Sequence, residues 1–114
     1  LDAGTDERFR RINGVEIPLD RVLSRILNLG RWRPVVIHSL FANLEGCPPS
    51  RAEVAAYLQC LSHLRARGAV ISRVQVYSVA HPPPDSGCTH LPLESLSEIA
   101  RRVRSEVGVE AEVF

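Results

Sequence analysis

The chain has 114 residues, 45% of them hydrophobic and 24% charged, a balance that suits one compact unit with its own core and excludes a disordered tail. Its 14 basic and 13 acidic residues leave a net charge of +1 and are mixed along the chain, so no patch argues for nucleic acid or an anionic membrane as a partner. The apolar runs are short and bounded by charges, so none spans a bilayer. The three cysteines, Cys47, Cys60 and Cys88, are widely spaced and read as free thiols in a reducing, cytoplasmic setting, because they fit neither a disulfide framework nor a zinc motif.

Leu1 to Gly4 reads as the last residues of a strand and its turn. Thr5 then caps a short helix with Asp6 and Glu7 in its first turn, where a helix N-terminus favours negative charge, and with Phe9 and Ile12 on one side. Leu19, Val22, Leu23, Ile26 and Leu27 recur at helical spacing after Pro18 and predict a second helix that stops at Gly30. Arg8, Arg10 and Arg11, like Arg101, Arg102 and Arg104, read as solvated helix faces.

Val35 to Phe41 is a nearly continuous apolar and β-branched run, the pattern of a strand covered on both faces. Glycine, cysteine and two prolines break the chain after it. Ser50 and Glu53 have the capping-box spacing, and Val54, Tyr57, Leu58, Leu61 and Leu64 follow on one stripe until Gly68. Val74 to Ala80 is another buried-type strand and runs into a polar, proline-rich loop over 81–88. Leu96, Ile99, Ala100, Val103 and Val107 make the last helix, and the alternation from Val109 to Phe114 predicts a final strand with one wetter face.

Strand, helices, strand, helix, strand, helix, strand is the order of right-handed βαβ crossovers on a parallel sheet. The expected fold class is α/β, a partial parallel (β/α) barrel forming a single unit over 1–114. Function in such sheets gathers at the C-terminal strand ends, here Asp2 to Thr5, Phe41 to Pro49 and Ala80 to Cys88. Four strands make only part of a closed barrel and leave an edge to be covered. The chain contains no methionine and begins with Leu1, which points the same way, to a truncated or excised piece.

Several residues at those ends carry candidate chemistry. Asp2 is either a turn or cap residue or a partner for a ribose hydroxyl or an amine. His38 interrupts an apolar strand, as a satisfied, partly buried histidine or as an acid/base group or ligand. Asn43 and Glu45 are either turn residues or groups facing a ligand over the sheet. His81, Cys88 and His90 share the proline-rich region but match no metal-ligand spacing, so no metal site is assigned. There is no Gly-rich phosphate loop and no nucleophile elbow.

Taken as an ordered set, Leu1-Asp2-Ala3-Gly4-Thr5 with Phe9-Arg10-Arg11-Ile12-Asn13, Val35 to Phe41, and Val74-Gln75-Val76-Tyr77-Ser78-Val79-Ala80-His81-Pro82-Pro83 resemble the second half of radical S-adenosylmethionine (radical SAM) proteins. The resemblance covers nearly the whole chain. It implies the C-terminal half of a (β/α)6 TIM-like barrel that holds S-adenosylmethionine and a 4Fe-4S cluster at the top of its strands and initiates radical chemistry by cleaving the former to a 5′-deoxyadenosyl radical. The cofactor-contacting positions it implies are Asp2, near the ribose or substrate, His38, Ser39 and Asn43 on a strand that holds S-adenosylmethionine, and the backbone of Val79 and Ala80 beside adenine.

The family places its three cluster cysteines in a C-x3-C-x2-C motif, and Cys47, Cys60 and Cys88 do not reproduce that spacing. The expected partner is therefore the absent N-terminal half of the barrel, with an unknown substrate, and neither cofactor is expected to bind stably to this chain alone. The alternative is a cluster-free half-barrel that binds a ligand or a protein.

Overall fold

The computed structural model describes residues 1–82 and 87–114. Helix α1, Asp6–Asn13, opens on Thr5, whose hydroxyl accepts the Arg8 N–H at 3.2 Å, and closes on Gly14 at φ 68°. Helix α2, Leu19–Trp32, does not stop at Gly30. It runs on until Pro34 forces the residue before it out of the helical region, and Arg33 sits at φ −157°, ψ 161°. Gly30 has a different task. A Cβ there would lie 2.9 Å from the Ala69 Cβ, so the missing side chain lets α2 approach the segment that leads into the strand starting at Ile71.

Strand β1, Val35–Leu40, leads through Phe41 into a short β2, Ala42–Leu44. Helix α3, Arg51–Ala66, has the complete capping box, with the Ser50 hydroxyl accepting the Glu53 N–H and the Glu53 carboxylate accepting the Ser50 N–H. Strand β3, Ile71–Tyr77, follows, and then β4, Cys88–His90. Helix α4, Leu93–Arg102, ends in a π-helical turn, Val103–Val107, closed by Gly108 at φ 78°, before strand β5, Ala111–Val113.

The fold is a small α/β unit built on a parallel sheet in the order β1-β3-β5, so the strands lie in the order of the chain. The predicted first strand is not formed as such. Leu1 and Asp2 nonetheless run along the outer edge of β1, where the Leu1 nitrogen donates to the His38 carbonyl and the Asp2 carboxylate accepts the Leu40 N–H, both at 2.8 Å. β2 and β4 form a separate antiparallel ribbon inside the segments expected to be loops. Of the expected proline-rich loop, 83–86 lie outside the described residues.

One face of the sheet is covered and the other is bare. Ile37, Val74, Val76 and Ala111 point into a core completed by Leu27 of α2, Leu58 and Leu61 of α3, and Leu96, Ile99 and Val103 in the last helical segment. Edge-on contact of Phe41 with Tyr57, with centroids 4.9 Å apart, closes its upper end. The expectation that β1 is covered on both faces is thus corrected: Val36 and His38 are exposed, and only the residues alternating with them are packed. A nearly continuous apolar run such as this one does not by itself tell a strand covered on both faces from one covered on a single face.

Candidate functional site

The bare face is built from alternate residues of three strands, which places them in rows at defined heights. At the lowest level Val36 stands beside Arg73; above them His38, Gln75 and Glu112 are register partners; above these stand Leu40 and Tyr77. Alternation puts Phe114 on the same side, beyond Glu112, with 75% of its surface exposed. The middle row is organised around one oxygen. Glu112 Oε1 accepts from Gln75 Nε2 at 3.1 Å and from an Arg73 guanidinium nitrogen at 3.3 Å. The His38 ring meets Tyr77 edge-on, with centroids 6.3 Å apart.

The rim at the C-terminal strand ends is held by polar contacts. The Ser78 hydroxyl donates to the Phe41 carbonyl at 2.6 Å and accepts the Leu91 N–H at 2.8 Å, which joins the ends of β1 and β3 to the chain leaving β4. A His90 ring nitrogen lies 3.1 Å from the Val79 carbonyl, and the Asn43 amide donates to the His90 carbonyl at 3.2 Å. The Tyr77 hydroxyl is pushed to higher pKa by burial and by the neighbouring Asp2 carboxylate, so it remains a neutral donor.

The sequence-predicted positions divide into two clusters and one outlier. Asp2 and His38 both lie along the β1 edge, Asp2 on the Leu40 N–H and His38 with its ring against Tyr77. Asn43 and Val79 meet through His90, with Ala80 exposed at the next position. Ser39 belongs to neither, because adjacent residues of a strand face opposite ways. Its side chain is fully buried on the helical side and accepts the Tyr57 hydroxyl proton at 2.7 Å. Burial holds the Tyr57 hydroxyl far above its usual range, so Tyr57 is the donor of that pair. Glu45 lies at the ribbon turn, with φ 51°.

Arg8 also departs from its reading as a solvated residue. It is 6% exposed, with one guanidinium nitrogen 2.7 Å from the Ala42 carbonyl and the other 3.1 Å from Glu53. This contact pins α1 and α3 beneath the ribbon. Burial pushes the Glu53 carboxyl up, but hydrogen bonding from Ser50 and the charge of Arg8 outweigh it and hold the pKa below the usual carboxylate value.

The cysteines occupy separate elements. Cys47 faces Leu44 across the ribbon turn, Cys88 pairs with Leu44 from β4, and the Cys60 thiol on α3 lies 3.9 Å from the Gly4 carbonyl. Among the described residues no three metal-ligating side chains converge, the His81, Cys88 and His90 combination included. No helix among them is long and apolar enough to cross a membrane. No catalytic or ligand-binding motif marks Arg73, Gln75, Tyr77 or Glu112 in the sequence. The signal was present in the alternation of 73, 75 and 77 with the buried Val74 and Val76. No family model, curated protein or solved structure matches the chain.

Proposed function

We propose that the chain forms the C-terminal strands of a radical SAM type (β/α)6 barrel, with the bare sheet face turned to the lumen. The observation that carries this reading is the winding of the sheet. Its parallel strands follow chain order with all the core-forming helices on one side, as in barrels, whereas a doubly wound sheet reverses direction and covers both faces. The polar row His38, Gln75 and Glu112 on the uncovered face suits a lumen better than a second core.

In this reading the rim residues hold S-adenosylmethionine. Asp2 offers the carboxylate oxygen not used by Leu40, Asn43 offers its amide oxygen, and Val79 and Ala80 offer extended backbone. Ser39 acts through its backbone alone, since its side chain is committed to Tyr57. The cysteines do not fit a 4Fe-4S cluster, because among the described residues no three ligating side chains converge: Cys47 and Cys88 flank Leu44 on the ribbon, and Cys60 lies apart on α3. In this reading the cluster ligands therefore belong to residues outside these 114.

Extending the reading frame upstream of Leu1 tests the proposal. A C-x3-C-x2-C motif followed by further βα units is expected, and an in-frame stop codon with no such motif overturns it. In the full-length protein, Asp2→Ala should weaken S-adenosylmethionine binding by about tenfold in titration calorimetry, the scale of one lost charge-assisted hydrogen bond.

A second reading, a cluster-free binding module, is favoured by the closed core and by the absence of unsatisfied buried side-chain polar atoms among the described residues. It expects the isolated 114-residue chain to unfold in one cooperative thermal transition. A broad, uncooperative transition counts against it.

A further inference from the structure

Outside the sheet, α2 and α3 lie side by side and enclose a groove of about 650 Å³. Both run antiparallel to the strands that follow them, so they are parallel to each other. The groove is closed above where Gly4 packs on the Ala56–Tyr57 backbone, and below by the Gly30–Ala69 contact. Its floor is apolar, made by Leu23, Leu27 and Leu64, and its walls carry the exposed side chains of Asp20, Ser24, Gln59, His63 and Arg67. None of these five side chains makes a hydrogen bond or ion pair among the described residues, although the Arg67 carbonyl accepts from the Arg31 guanidinium. An apolar floor with several unengaged polar groups above it is the usual composition of a recognition site.

The charges are sorted by position. Asp20 lies at the top, beside Gly4 and Ala56, while His63 and Arg67 lie at the bottom. The rise from Ala56 to Arg67 along α3 is about 16 Å, three helical turns. Small-molecule sites bury most of their ligand, and a groove with exposed walls along its length does not. A helix laid in it would span that distance with residues 11 apart on one face.

We infer that the α2–α3 groove docks a short amphipathic helix from another protein, antiparallel to α2 and α3, with an acidic residue against Arg67 and His63 and a basic residue 11 positions later against Asp20. The antiparallel direction sets the guest's dipole against those of its two hosts. It also places the guest's acid near its own N-terminus and its base near its C-terminus, where each is favoured. The inference does not depend on the barrel reading.

The probe is an 18-residue helical peptide with Glu at position 4, Leu at positions 7, 8 and 11, and Lys at position 15. Fluorescence anisotropy should show saturable binding to the protein. Arg67→Glu and Asp20→Lys should each weaken it about five- to tenfold, and a peptide with Lys at position 4 should regain most of the loss on Arg67→Glu. Alkylation followed by peptide mapping should show Cys60, which lines the groove, protected by the peptide, and Cys47 unchanged. Absence of binding, or binding indifferent to both charge reversals, overturns the inference. So does protection of Cys60 by dodecanoate without peptide binding, which would make the site one for small amphipathic anions. A concentration-dependent dimer abolished by Arg67→Glu also overturns it, in favour of a second copy of this chain.

Discussion

His38 and Ser39 are neighbours in sequence and point to opposite sides of the sheet, one to the bare face and the other to the core. Strand periodicity alone forbids both side chains from meeting one ligand, so this much of the site was legible before the fold. That Ser39 pairs with Tyr57 was not legible, because it depends on how α3 crosses β1. Removing the donor should leave a buried oxygen poorly satisfied. Tyr57→Phe is expected to lower unfolding stability by about 1–2 kcal/mol in urea titration, and Ser39→Ala on that background should cost less than it does alone. Glu53 gives a pH signature. Its pKa is lowered in the fold, so its contribution is present above the ordinary value of 4.5 and is lost as pH falls through the lower folded value. Glu53→Gln should therefore flatten the acid limb of a stability–pH curve below pH 4.5 and cost about 0.5–1 kcal/mol near neutrality, the scale left after solvent screening of a partly exposed ion pair.

At the scale of elements, the helices were more legible than the strands. The Thr5 cap and the Ser50–Glu53 box are local signals and stand where the sequence put them. Gly30 misled for a physical reason: glycine marks helix ends through its backbone freedom, but it also serves where two backbones must touch. The contact with Ala69 decides which role applies, and that residue is remote in sequence. Gly30→Leu, which local helix propensity alone would favour, should instead destabilise by about 1–3 kcal/mol and lower Tm, through overpacking against Ala69. The β2–β4 ribbon is not legible in the sequence because each strand is three residues long and its pairing joins segments on either side of α3 and β3.

At the scale of the whole molecule, the α/β class and the parallel sheet follow from the order of apolar runs, while the number of strands and the bare face do not. Hydrophobic pattern reports that a strand is buried and says little about what buries it. Exposed Val36 and Phe114 at either end of the bare face should drive weak association at high concentration. A Val36→Thr, Phe114→Ser variant should sediment as a monomer over a wider concentration range than the parent, with Tm nearly unchanged because neither side chain lies in the core.

The contacts that build the sheet share one interval. Leu1 bonds to His38, 37 positions on; Val36 pairs with Arg73, again 73 − 36 = 37; and Val74 pairs with Ala111, 111 − 74 = 37. Each strand is added by closing a loop of the same length onto the one before, so each step meets the same entropic cost and none waits for distant chain. Such a molecule can assemble by accretion, strand after strand in the order of synthesis, and its folding rate should follow the closure of one such unit rather than the length of the polypeptide.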